Sequence, residues 1–457
     1  MTELNLTQKE QIPRSQIRKN ILSLAWPVII EMGLVTLVKI LDMIMVGQLG
    51  VKALDAVGLT LQPLMLAMII FRGLSVGTTA LVARFIGENR HEQANLTFQQ
   101  SLLSSTLMAI GLYFVAPYIL IGMGAKSPEI IQLGTDYVRW LVPGVVFQWV
   151  FLVVSAALRG AGDTKTPMFA NIIINILNVL GNYFLIFGYW IFPEMGVSGA
   201  GLATSIARIV GFIIIIFLVS RRDTILRIRW ESFFKFDWSI LSRILKIGIP
   251  ATLEQAVLRI GQTWYTKVVR SLGSVAFAAH TAAINAEAIS YMPGWGFSVA
   301  ATTMVGQKLG EGEKAEAEAS GYESLKIGIA IMGFMGLFFL IMPETLMKLY
   351  VDMSNPNSQE LVRLGARNLR IIALAQIPMA IQFILAGALR GAGYTKPVLY
   401  STMAGVWVGR LLGAMIFIHV FNWGLLGAWI AMCIDWFMRA LYVLYLWKKG
   451  KWKFTEV

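Results

Sequence analysis

The chain has 457 residues, of which 56% are hydrophobic and only 14% charged. Soluble domains carry about 25% charged residues, so this composition excludes a soluble core and requires several membrane spans. The net charge of +13 would suggest nucleic acid in a soluble protein, but the placement of the charges points elsewhere.

Apolar runs of about 20 residues can cross the hydrocarbon core as helices. Twelve such runs occur in chain order, at 21–46, 56–82, 97–122, 131–157, 167–190, 198–220, 243–269, 281–305, 322–342, 362–388, 397–419 and 424–447. The first run is too long for a signal-peptide core and lacks a small-residue cleavage site, so it is read as a true span. The amino end, the even-numbered connections and the carboxyl tail hold 24 basic residues. The opposite side holds five, Lys52, Lys126, Arg270, Lys348 and Arg363. This asymmetry predicts that both termini are cytoplasmic, and it accounts for the charge without nucleic acid. The arginines of 221–229 read as topology signals with anionic lipid heads within reach.

Cys433 is alone, and His91, His280 and His419 show no metal-ligand spacing. No phosphate loop, nucleophile elbow or HExxH motif is present. Neither an ATP-driven pump nor an enzyme is expected from this chain by itself, and no cofactor beyond a coupling ion.

The chain repeats itself. LRGAGDTKTP from Leu158 returns as LRGAGYTKPV from Leu389, 231 positions later. WPVIIE at 26–31 answers IPATLE at 249–254, and GLSVGTTALVARFIGE at 73–88 answers GFSVAATTMVGQKLGE at 296–311, both at an offset of 223. GVSGAGLA at 196–203 answers GLLGAWIA at 424–431. The predicted architecture is therefore an all-α polytopic membrane protein of twelve helices in two six-helix bundles. An even number of spans per half relates the bundles by a pseudo-twofold axis along the membrane normal, with a site between them. The expected divisions are a cytoplasmic segment 1–20, an N-lobe 21–220, a linker 221–242, a C-lobe 243–447 and a tail 448–457. Each copy of the LRGAG motif falls at the cytoplasmic mouth of a bundle, where it reads as structural and topogenic.

The paired LRGAG motifs, MVGQLG at 45–50 and VGQKLGEG at 305–312 resemble the multidrug and toxic compound extrusion (MATE) family over roughly residues 15–447. The resemblance implies two lobes around a V-shaped cleft. It also implies export of organic cations and other drugs by alternating access, in exchange for sodium ions or protons.

Intramembrane acids are functional candidates because each is costly in lipid. The mid-span acids are Glu31, Asp42, Glu254, Glu287 and Asp435. The repeat acts as a filter. Glu31 and Glu254 correspond, whereas the counterpart of Asp42 is Tyr265. Asn171, Asn175, Asn178 and Asn182 are spaced 4, 3 and 4 apart, which puts four amides on one helix face. Their counterparts are Thr402, Val406, Gly409 and Gly413, and Thr204 corresponds to Met432. Asn171 and Asn175 read as interhelical glue. Asp42, Asn178, Asn182 and Thr204 read as a working cluster. Many family members have an aspartate on helix 1, an asparagine and an aspartate on helix 5 and a threonine on helix 6 as a cation site. Asp42, Asn178 and Thr204 match, and Asn182 replaces the second aspartate. The loss of that charge favours a proton over sodium. If sodium is the ion, Asp42, Asn178 and Thr204 are its expected ligands, since hard cations take oxygen donors. Glu254 matches a coupling glutamate of the NorM-like branch, whose partner aspartate would fall near Met379 and is absent.

Glu31, Glu287 and Gln382 are candidates for the substrate cavity. Glu31 lies eleven residues before Asp42, about three turns, so the two share a face. Asp435 and Arg439, four residues apart, suggest a structural ion pair, and Lys39 sits where it would keep Asp42 ionised. The expected function is a multidrug antiporter of the cell membrane, monomeric, with small organic cations and lipid as partners and no nucleic acid. The rival readings are a major-facilitator carrier, a lipid or polysaccharide flippase of the same superfamily, and a membrane enzyme. The matched acids favour cationic cargo over a flippase.

Overall fold

The computed structural model describes residues 13–121, 128–221, 225–228, 235–351 and 356–457, with side chains at 114–121 and 128–130 left out. Lys126 and, among the 24 basic residues of the terminal side, Lys9, Arg222 and Arg229 lie outside the described residues, as do the first twelve residues and parts of the linker.

Each predicted span falls on a helix within the described residues. The N-lobe comprises α1 (Arg14–Gly47), α2 (Val51–Gly87), α3 (His91–Ile121), α4 (Pro128–Gly160), α5 (Lys165–Phe187) and α6 (Gly196–Ser220). The C-lobe comprises α7 (Trp238–Arg270), α8 (Ser274–Gly310), α9 (Lys314–Ile341), α10 (Ser358–Ala373 joined to Gln376–Gly391), α11 (395–420) and α12 (Gly424–Lys449). The two pieces of α10 meet at 55°. Eight of these helices are long and apolar enough to cross a membrane by length and composition, and the bent pair makes a ninth. Helices α7 and α8 carry more polar groups yet run 33 and 37 residues. At 1.5 Å per residue either helix exceeds the hydrocarbon thickness.

The repeat is visible in the contacts. Thr79 Oγ1 donates to the Ala156 carbonyl at 2.9 Å, and its counterpart Thr302 donates to the Gly387 carbonyl at 2.8 Å. The LRGAG glycines allow this approach. A Cβ on Gly160 would lie 2.6 Å from the Thr79 carbonyl oxygen, and one on Gly391 would lie 2.1 Å from that of Thr302. Gly162 and Gly393 then turn the chain at φ +92° and +78°, a region glycine enters without a steric penalty.

The lobes meet along antiparallel seams. On α2 and α7, Gly77 packs on Ile244 and Gly73 on Gly248 and Thr252. Further along the same seam, Arg259 Nη2 donates to Gln62 Oε1 at 3.0 Å. Toward the termini the two lobes are tied by Thr303 to the Arg159 carbonyl (2.9 Å), Gln307 to the Gly160 carbonyl (3.0 Å) and Arg18 to Glu323 (2.6 Å). The molecule is thus closed on the side of its termini.

Backbone contact through Gly87 and Gly310 makes that closure possible, because a Cβ there would lie 1.9 Å from the Gln307 oxygen and 2.2 Å from the Arg84 oxygen. Gly87→Ala is expected to separate the lobes at this end, since neither neighbour is a movable side-chain tip. Spin labels across the α2 and α8 ends should report a longer distance. An unchanged distribution would mean that the helices slide instead.

Candidate cation-coupling site

Glu31 and Glu254 do not stand as free carboxylates. Arg159 Nη2 contacts both Glu31 oxygens, at 2.7 and 2.8 Å, and Asn171 donates to the same carboxylate at 2.8 Å. In the C-lobe, Arg390 Nη2 reaches Glu254 Oε1 at 2.6 Å, its Nε reaches Oε2 at 3.3 Å, and Thr402 donates at 3.2 Å. The arginine of each LRGAG motif therefore turns inward and neutralises the acid on the first helix of its own lobe. The repeat matched the two acids and, separately, the two arginines. It could not reveal that each lobe pairs one with the other, because residues 128 or 136 positions apart carry no local signature of contact.

The N-lobe cluster does assemble. Helices α1 and α5 run parallel, which sets Asp42 beside Asn182, and α5 and α6 run antiparallel, which sets Asn178 beside Thr204. Asn182 Nδ2 donates to Asp42 Oδ1 at 2.6 Å. Asn178 Nδ2 donates to Thr204 Oγ1 at 2.9 Å, and that hydroxyl donates to the Ala200 carbonyl at 2.8 Å. Asn182 Oδ1 is buried without a hydrogen-bond partner among the described residues, as is Asn175 Nδ2. An unsatisfied buried acceptor costs about 1–3 kcal/mol, so the Asn182 oxygen is a place where a donor or a cation would be welcome. Arg208, one turn beyond Thr204 on α6, and Tyr137 of α4 lie within electrostatic reach of Asp42.

The C-lobe fills the equivalent space differently. Asp435 is fully buried and held by Arg439 Nε at 2.7 Å and Arg410 Nη2 at 2.6 Å. Gly405 and Gly409 of α11 leave room for this group: a Cβ on Gly405 would lie 2.3 Å from Asp435 Oδ1. The Asp435–Arg439 pair was legible from its spacing, whereas Arg410 was not. Tyr265, which stands where the N-lobe has Asp42, donates to the Ala428 carbonyl at 2.9 Å. Glu287 is buried, its carboxylate has no hydrogen bond or ion pair to a described side chain, and it lies within electrostatic reach of Arg410. His280, two turns before it on α8, packs edge-on against Tyr265 and Trp429. Gln382 on α10 is buried with its Oε1 unsatisfied. Glu31, Glu287 and Gln382 thus stand in separate surroundings.

The mid-membrane cations Arg72, Arg208 and Arg259 were not singled out by sequence reading. A signal was available. Lys39, Arg72, Arg208 and Arg259 have Gln262, Trp295, Trp436 and Thr36 as repeat counterparts. The filter that selected Asp42 selects these as well.

A family model described as MatE matches residues 27–184 and 250–416. A probable multidrug resistance protein NorM from Thermotoga maritima is 32% identical, over 98% of this chain and 96% of that protein. The uncharacterized transporter YisQ of Bacillus subtilis is 26% identical over 95% and 94%. Among solved structures, a MOP superfamily transporter from Pyrococcus furiosus superposes with a TM-score of 0.89 at 26% identity, covering 96% of this chain and 97% of that one. It is described as having a binding pocket of reverse polarity that suggests a different function. A multidrug resistance MATE family transporter of the MOP superfamily, in an outward-facing conformation, superposes with a TM-score of 0.88 at 26% identity, over 95% and 97%. The repeat, the two-lobe fold and these matches agree: the chain belongs to the multidrug and toxic compound extrusion family, whose members are membrane transporters and not enzymes.

Proposed function

We propose that this protein is a secondary multidrug efflux transporter that exchanges its cargo for a proton bound at Asp42. The observation that carries this reading is the Asp42–Asn182 pair. The Asn182 amide already donates to Oδ1, and its own oxygen lacks a donor among the described residues. Protonation of Asp42 supplies that donor and makes a two-bond acid–amide pair, so the proton satisfies a buried group as well as neutralising a charge. Sodium is the weaker alternative. Asp42 Oδ1 and Thr204 Oγ1 both accept amide hydrogens, and an ion coordinated by Asp42, Asn178 and Thr204 would have to displace them. Glu254 is already paired with Arg390 and offers no free carboxylate to a coupling ion. By linkage, proton and cargo must weaken each other's binding if one is to drive out the other.

The basic-residue asymmetry supports placing both termini in the cytoplasm. On that placement, the seam closed beside the termini makes this an outward-facing state, ready to release cargo and take up a proton. The names of the relatives support drugs as cargo. A flippase remains the second reading, and the mid-membrane cations favour it.

The test uses vesicles containing the purified protein and a transported dye. One run has a pH gradient without sodium, the other a sodium gradient at equal pH. Movement under the pH gradient alone is expected. Movement only under sodium would overturn the proton assignment, and movement under neither would overturn the antiport reading.

A further inference from the structure

The acids that argued for cationic cargo are neutralised within each lobe, and other charges gather at and behind the seam between the lobes. Lys39 of α1 lies within electrostatic reach of Arg72 on α2 and Arg208 on α6. Arg72 lies within reach of Arg259 on α7. The step from Arg72 to Arg259 crosses from the N-lobe to the C-lobe, so that pair borders the interlobe space, with Lys39 and Arg208 behind it in the N-lobe. Arg72 adjoins Gly73, the contact point of the α2–α7 seam, and Arg259 shares that seam through Gln62.

Lys39 and Arg72 are exposed although both sit within the spans, and Arg208 and Arg259 are half-buried. Arg208 is twelve residues from either end of α6, about 18 Å from each. None of the four makes an ion pair with a described residue. The one carboxylate among them, Asp42, is engaged by Asn182. Four cations against one acid leave a formal surplus of three positive charges. Uncompensated charges at this depth are costly and mark substrate pathways. Arg259 adds an apolar neighbour, with Met65 Sδ 3.5 Å from its guanidinium, and methionine adapts to varied ligand surfaces.

We propose that the cargo of this cleft is an amphiphilic organic anion, a carboxylate or phosphate group on an apolar body, received by Lys39, Arg72, Arg208 and Arg259. This names the substrate class of the efflux reading above and rests on it. Neutralising Asp42 raises the local surplus of positive charge, so the proton alone would not expel an anion. The protonated state must therefore act by changing the lobe arrangement that brings Arg259 to the N-lobe cations.

The test is equilibrium binding to purified protein without any gradient. The probes are carboxyfluorescein, a short-chain fluorescent phosphatidylglycerol, and ethidium as the cationic control. Saturable binding of an anionic probe is expected, weakened by salt and reduced at least about tenfold in Arg72→Gln/Arg259→Gln. The charge-keeping Arg72→Lys/Arg259→Lys should retain it, which separates lost charge from lost fold. Binding of carboxyfluorescein supports a soluble organic anion, and binding of the phosphatidylglycerol alone supports a lipid headgroup. The proposal is overturned if only ethidium binds, if no probe binds, or if the Gln variant binds the anion as tightly as the wild type. Retained anion binding without gradient-driven movement would count against the efflux reading alone.

Discussion

Asp42→Asn is expected to abolish proton-driven accumulation while leaving cargo binding in place. One pKa or pH unit corresponds to about 1.4 kcal/mol per proton. An exchanger moving one proton per cargo molecule therefore sustains about a tenfold concentration ratio for each unit of pH gradient. An asparagine at 42 cannot titrate, so the ratio should fall to one at every gradient. It can still accept the amide hydrogen of Asn182 and, through its own amide, donate to the unsatisfied Asn182 oxygen. The variant should thus resemble the protonated state permanently. Dye accumulation measured against a stepped pH gradient tests this. A slope kept by Asp42→Asn would move the coupling role to another acid, with Glu287 the first to examine because it has no ion-pair partner among the described residues.

Arg390→Ala should strongly destabilise the C-lobe. Glu254 is 2% exposed, and Arg390 supplies both of its strong contacts, with Thr402 at 3.2 Å as the remaining donor. Removing one member of a buried ion pair strands the other charge and costs about 3–5 kcal/mol. Replacing both members with apolar residues of similar volume is often neutral. Glu254→Leu/Arg390→Met should therefore unfold near the wild type, while Arg390→Ala unfolds much earlier. A double-mutant cycle on thermal unfolding in detergent reads the pair directly. The cycle also separates two roles for Glu254. If it is structural, the double variant should keep gradient-driven export. If Glu254 carries the proton, the double variant stays folded and loses it.

These expectations divide along what a chain can encode locally. The span count, the twofold repeat, the family and the Asn178–Asn182 face were all readable, because hydropathy, offset and helical spacing are properties of neighbours in sequence. Asp435 and Arg439 were readable for the same reason. The pairing of Arg159 with Glu31 and of Arg390 with Glu254 was not, since it depends on how the fourth and tenth helices lean against the first and seventh. That lean changes the meaning of the residues. The two acids matched by the repeat become closed pairs, and the unmatched cations Lys39, Arg72, Arg208 and Arg259 are left without an ion pair among the described residues. Packing decides which charges cancel, because an ion pair depends on distance in three dimensions. The sequence names every charge but cannot say which of them meet.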